Sequence, residues 1–573
     1  MKVQKMANKT GGGGEFTVRL VKCVAVCAMV LPMQLSAAEI VVNDSPYVGD
    51  ITVSAGDELK VYGNGLTAAT KVWLKGGTMN VYADVAIRSS ITQDVSSVVK
   101  VESGCKATFL GKVTIKNVAD TQNRMSTYGD VVFAGGVNCG TKWDQLFAFS
   151  GTVSILTNNC TISGSCGILD TGAATRFTIS DGATVTLKDG QKALPSRIQG
   201  TASPVLEISD GGTLEITAAD HSFYLGGSSP ATMLIKDGGK FSMRTAYGYF
   251  FLAHKSDNNP TIDLRSGGVF ETRSPIIRYM STNGDWHRNI WHFNWNGGTL
   301  RPLRAFQSSS WMKGIFCQNN GLTDHYKSSY DAVNNSNFLG FDFNILGSDC
   351  VLDLTELHNV EPNSVITNAP ACNFRTGEAM YGGGFYGASS ACLTVRGGAM
   401  AFNHFKPNGM KLKLESGAKV VFPSVTNTWV FSEIEIAATN ASVVVDDISD
   451  GAKVGVGTVT VDAAGEWVTG EKIVADSIEI TNMTFAANSL WTIPVANGVT
   501  PSLSLLGSLT FPSSLRYSQR GIGKIAQSRV ISAANPIVGN PEWTRFNGDG
   551  KIFFAVRERD VDLVVPGLVL TIR

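Results

Sequence analysis

"LEISDGGTLEI" (Leu206–Ile216) decides how this chain reads. Apolar and polar residues alternate up to Ile208 and again from Leu214, the period of a β-strand with one buried face. Between the two runs stand a serine, an aspartate and two glycines. Aspartate bonds its own backbone in a turn and glycine takes positive φ, so the four residues read as a corner. The pattern returns as "MLIKDGGKFSM" (Met233–Met243) and "IDLRSGGVFET" (Ile262–Thr272). Looser copies are "VKVESGCKATF" ending at Phe109, "FTISDGATVTL" ending at Leu187 and "LKLESGAKVVF" ending at Phe422. Alternation turns Val101, Ile179, Ile208, Ile235, Leu264 and Leu414 inward before the corner. After it, Ala107, Val185, Leu214, Phe241, Phe270 and Val420 turn inward.

Gly182, Gly211, Gly238 and Gly267 lie 29, 27 and 29 residues apart. That is too far for a run of simple hairpins and suits one circuit of a coil with two or three strands each. Neither strand of a copy can bury a face alone; stacking equivalent strands in parallel, at about 4.8 Å, makes one continuous core. The period overlaps those of leucine-rich and ankyrin repeats, but the Leu/Asn pattern of the first and the helices of the second are missing. The expected fold is all-β: a right-handed parallel β-helix (β-solenoid) with a small C-terminal β cap.

Two copies have one fewer residue before the glycines, "HFNWNGGTLRP" (His292–Pro302) and "LTVRGGAMAF" (Leu393–Phe402). Aligned on the longer copies, Phe293 and Trp295 would face solvent as a stacking platform for sugars. Aligned with Leu393 and Val395 of the other short copy they face inward, and the sequence reading takes them as core.

The chain has 573 residues, with 48 Lys+Arg balancing 48 Asp+Glu. Zero net charge gives no electrostatic case for nucleic acid or an anionic membrane. The basic stretch through Lys22, the apolar run "CVAVCAMVLPMQL" (Cys23–Leu35) and "SAA" (Ser36–Ala38) read as a signal peptide cleaved before Glu39. The protein is therefore expected to be exported, with no membrane span once the signal is removed, and monomeric. Eight cysteines remain beyond the signal, and no CxxC pair occurs among them. Export permits disulfides, and Cys160 with Cys166 is the nearest local pair. Cys105 reads as a small residue stacked in the core. No metal site and no cofactor is expected.

"NGGTLRP", "SDGGTLEI" and the unit "FYLGGSSPATMLIKDGG" (Phe223–Gly239) resemble the autotransporter-associated β-strand repeats of secreted bacterial passenger domains. The likeness spans roughly residues 100–425 and is best over 205–302; the run from Val530 to Arg573 is similar to the tail of such proteins. The resemblance implies a β-helix and export to the surface or exterior of a Gram-negative-type bacterium. It carries no catalytic residues. A translocating barrel would need about a dozen lipid-facing strands of 9–11 residues. Only about 150 residues follow the last clear copy, and they are broken by Pro, Asp and Gly. The reading is thus a passenger without a barrel.

The expected organisation is a signal at 1–38 and an N-terminal β cap or first turns of the coil at 39–100. The β-helix follows at 101–424, with an irregular insert at 303–390, and further turns with a C-terminal β cap fill 425–573. The expected role is structural or adhesive, with a surface glycan or polysaccharide as partner. The alternative is a carbohydrate-active enzyme, a polysaccharide lyase or glycoside hydrolase, which needs convergent carboxylates with a basic group on one outer face. Glu207, Asp263 and Arg265 are the residues for that alternative, read with Lys236 as outward on successive turns of the coil; a solvated face of mixed charge explains them as well. "DWHRNIWH" (Asp285–His292) is the most site-like stretch, with Trp286 and His287 as candidate ligand contacts.

Overall fold

The computed structural model describes residues 37–564 apart from 95–96, 116–124, 128, 140–146, 150–151, 156–159, 164–166, 172–175, 189–195, 201–204, 218–222, 227–229, 245–249, 253–259, 274–275, 279–290, 304–315, 319–340, 357–371, 375–383, 403–404, 416, 474–476, 495–502, 521–527 and 548–552. Trp286, His287 and Cys166 lie outside the described residues. The described residues form strands, turns and bends, with no helix among them. The protein is all-β and its sheets are mostly parallel.

From Val85 to Lys406 the chain supplies strands to three places in turn. Val205–Ile208, Thr213–Ile216 and Phe223–Leu225 are followed by Thr232–Ile235, Lys240–Met243 and Phe250–Leu252, each pairing in parallel with its counterpart three strands earlier. The first position builds a twelve-stranded sheet from Val85–Ile87 to Phe405–Lys406. The second builds a long sheet that starts at Ile51–Ser54 and continues through Ser528–Ala533. The third is divided among sheets of six, six and eight strands. We call one such set of strands a tier. Residues 39–101 already hold regular tiers, with Leu59, Met79 and Val99 in one register file. Within 303–390, the strands Phe341–Ile345, Cys350–Asp353 and Gly384–Gly387 join the same sheets, so the described parts of that insert belong to the stack.

All twelve inward positions of the repeat copies are fully buried. Phe241 lies on Phe270 at 4.9 Å between ring centroids and Phe293 on Phe343 at 4.8 Å. Phe293 and Trp295 face the core, in register with Ile262 and Leu264. The short corner thus shifts phase, and Trp295 Nε1 is satisfied by the carbonyl of Gly298 at 3.1 Å. Cys105 departs from expectation: it sits half-buried at a corner, packed against the core edge, because it holds the last position of the turn that starts at Glu102. Among the described cysteines, Cys350 is the one within the core, and burial pushes its thiol up to about 12.

The corner explains the glycine pair. Asp210 and Gly211 both have positive φ, 49° and 73°, and the N–H of Gly212 donates to the carbonyl of Ser209, as in a type I′ turn. Gly211 is required by its φ. Gly212 is required by space: a Cβ there would press on the carbonyl of Ile179 in the tier before. At the next corner, Gly238 and Gly239 divide the two duties in the same way.

After Lys406 the first and second strands of a tier fuse. Trp429–Ile436, Val454–Val461 and Ile478–Phe485 are eight residues each, and in each the buried face slips by one residue halfway. At the C-terminal end Asp560–Val564 runs antiparallel to both Ser528–Ala533 and Phe553–Val556, the only antiparallel ladders among the described strands. Phe554 closes on Trp543 at 4.1 Å there. Such a turn-back removes an open parallel edge, the usual liability of a stacked sheet.

Candidate functional site

The outer side of the twelve-stranded sheet carries the residues singled out for chemistry. One register file runs Thr178, Glu207, Leu234, Asp263, Asn294, Asn344, Tyr386, Lys406, one residue per tier. Strand alternation sends these side chains away from the core, because Ile208, Ile235, Leu264 and Trp295 beside them fill it.

Glu207 and Asp263 are not on successive tiers. Leu234 stands between them, since Met233–Met243 contributes a tier of its own, so the two strands are about 10 Å apart along the stack. Each carboxylate is also engaged. Glu207, only 10% exposed, pairs with Arg176 through one oxygen and with Lys236 through the other at 3.3 Å. Asp263 takes Arg265 Nη2 at 2.6 Å and Nε at 2.9 Å on one oxygen and Asn296 Nδ2 at 2.7 Å on the other. Arg265 is half exposed, and its hydrogen bond and charge contact with Asp263 raise its pKa further. Lys236 is likewise raised, chiefly by the charge of Glu207. The three residues therefore form two closed ion pairs. A glycosidase pair requires two carboxyl groups facing one bond at about 5–9.5 Å.

Further along, the file carries two planar amides, a phenol ring and then a lysine. Asn344 Nδ2 donates to Asn294 Oδ1 at 3.0 Å, and Lys406 Nζ lies 5.5 Å from the centroid of the Tyr386 ring. Earlier on the same file stand Ala86, Thr108, Val132 and Ser154, small or apolar residues.

A second cluster escaped the sequence reading. On the outer side of the long sheet, Glu215, Ser242, Glu271 and Arg301 share one file. Glu271 is fully buried and accepts from Ser242 Oγ at 2.9 Å, Arg244 Nη2 at 2.6 Å, Lys240 Nζ at 3.2 Å and Arg301 Nη1 at 3.3 Å. Arg301 also reaches Asp353 at 3.0 Å. Burial pushes the Glu271 carboxyl up, but the Ser242 hydroxyl, Lys240 and Arg244 outweigh it, and the net pKa is lowered. Asp353 is lowered too: burial opposes, while Thr355 and Arg301 prevail. The signal was legible as outward polar residues in "FSM", "FET" and "LRP", one per copy; what could not be read was that they meet.

Among the described residues no group of three His, Cys, Asp or Glu is placed to hold a metal ion. No described helix is long and apolar enough to cross a membrane, which says nothing of strands. No family model matches the chain, and a comparison with curated proteins finds no match.

Proposed function

We propose that the chain is an exported right-handed parallel β-helix with a C-terminal β cap, acting as a stiff rod at or outside the surface of a Gram-negative-type bacterium. Its role is structural or adhesive, it works as a monomer in the manner of an autotransporter passenger without a barrel, and its ligand is a surface glycan or other cell-surface group. The observation that carries the reading is the parallel return of the chain to the same sheets, tier after tier, from Ile51 to Ala533. The signal-like N-terminus and the repeat resemblance add the export half. Closed ion pairs at Glu207 and Asp263 weigh toward binding and away from hydrolysis.

At about 4.8 Å per tier the rod is on the order of 90 Å long. Small-angle scattering of the purified protein should give a skewed pair-distance distribution reaching that length. A symmetric, compact distribution would overturn the rod. Cell fractionation should find the chain beyond the inner membrane, cut near Glu39; an uncut cytoplasmic protein would overturn the export reading.

A further inference from the structure

We propose that the file Asp263–Asn294–Asn344–Tyr386–Lys406 binds an extended, uncharged polysaccharide lying along the stack of strands, an inference that rests on the surface-ligand reading above.

Three observations carry it. The first is spacing. The file offers one polar side chain per tier, at about 4.8 Å, over a run of roughly 19 Å. That is close to the advance of one sugar in an extended β-linked chain, so about four sugars can each meet one tier.

The second is hydrogen-bonding capacity. Each asparagine amide has two donors and an acceptor with two lone pairs. The bond between Asn344 and Asn294 uses one of each, and Asn344 Oδ1 and Asn294 Nδ2 have no other partner among the described residues. Both side chains are partly exposed. An amide edge with a donor and an acceptor open to solvent suits neighbouring hydroxyls on a sugar ring. An asparagine ladder can also be a pure strand staple. The same sheet, however, stacks its earlier tiers on Ala86, Thr108, Val132 and Ser154 without one, so stacking does not require it.

The third is the aromatic and the charge. Tyr386 is the next residue of the file after the two amides, and the apolar face of a sugar packs on such a ring. Asp263 is neutralised by Arg265, and Lys406 at the end of the file is a single cation lying against the Tyr386 ring, one charge where a polyuronate carries a carboxylate on every sugar. The balance favours an uncharged polymer over a polyuronate.

The test is affinity electrophoresis of the full-length protein through gels containing mixed-linkage β-glucan, xylan or galactomannan, with polygalacturonate as the charged comparator. The expected result is retardation by at least one uncharged polymer. Asn344→Ala and Tyr386→Ala should each weaken it tenfold or more, Tyr386→Phe should preserve it, and the thermal melt should be unchanged. Should Asn344→Ala unfold, the Tyr386 pair carries the test. Retardation by no uncharged polymer, retardation by polygalacturonate alone, or retardation that survives both alanine substitutions would overturn the proposal. Protein-coated beads presented to cell surfaces keep the two readings apart. If beads carrying Tyr386→Ala adhere as well as wild type, the adhesive role stands and this site falls; if wild-type beads do not adhere, the adhesive role falls, while polysaccharide retardation still judges the site.

Discussion

Two regions of the stack solve the same corner differently. In the middle, "SDGG" turns the chain with two successive left-handed residues, Asp210 with Gly211 and then Asp237 with Gly238. In the C-terminal region, Asn440, Ala464 and Asn488 take positive φ alone, at 60°, 60° and 63°, and no glycine stands at any of these positions. The backbone bonds are nonetheless alike. Ala441 N donates to Ala438 O as Gly212 N donates to Ser209 O, and Gly211, Gly238, Asn440, Ala464 and Asn488 each donate to a carbonyl of the following tier. Even inside the motif the residue matters: Ser266 is not left-handed although Gly267 after it is. The left-handed corner is thus a demand of stacking, and the Asp-Gly-Gly motif is one answer to it. The outer faces differ as well. The middle buries a charge cluster around Glu271, while the C-terminal tiers carry half-buried single pairs such as Lys413 with Glu435 at 3.2 Å.

The largest test of this contrast is Glu271→Ala. It leaves Lys240, Arg244 and Arg301 gathered around an empty place, and removing one partner of a buried ionic cluster costs about 3–5 kcal/mol. Hydrogen exchange should show lost protection over Val269–Thr272 and its neighbours. Acid acts through the same groups. The folded pKa values of Glu271 and Asp353 are depressed, so their stabilisation is present above the ordinary carboxylate range and is lost as pH falls through the depressed values. Protection of the middle tiers should therefore decline below about pH 4, and Glu271→Gln should flatten that dependence. A decline confined to the C-terminal tiers would break the comparison.

Gly239→Ala should cost about 1–3 kcal/mol through the clash with Ile208 O, although alanine already holds the same turn position at Ala418 and Ala441. Chemical denaturation followed by exchange over Lys240–Met243 measures it. A neutral outcome would mean that the second glycine is dispensable. Ala464→Gly should stabilise by about 0.5–1 kcal/mol, because an L-residue in the left-handed region is strained and glycine is not. Lys413→Ala should shift stability by no more than about 1 kcal/mol, since the pair is isolated, about a third exposed and screened by solvent.

The middle of the stack was legible because its repeat carries period and corner in the same few residues. The inward choice at Ile208 or Phe241 follows from alternation alone. The C-terminal tiers were harder to read. Their corner residues include an ordinary alanine, and Trp429–Ile436 changes its buried face midway, so no single period describes it. The candidate site was legible only in part. Glu207, Asp263 and Arg265 were placed on the correct face, but the ion pairs with Arg176 and Lys236 and the hydrogen bond from Asn296 could not be read, because those partners come from other tiers. Asn344 and Tyr386 lie in a stretch whose period is broken, and nothing local ties them to Asn294.

What the sequence alone determined is strand, corner and inward face, because each follows from steric and hydrophobic rules acting over a few residues. Which side chains become neighbours was decided by the tertiary structure. Register between tiers joins residues as far as 50 and 52 positions apart, such as Asn294 with Asn344 and Arg301 with Asp353, and that register is set by the packing of the shared core.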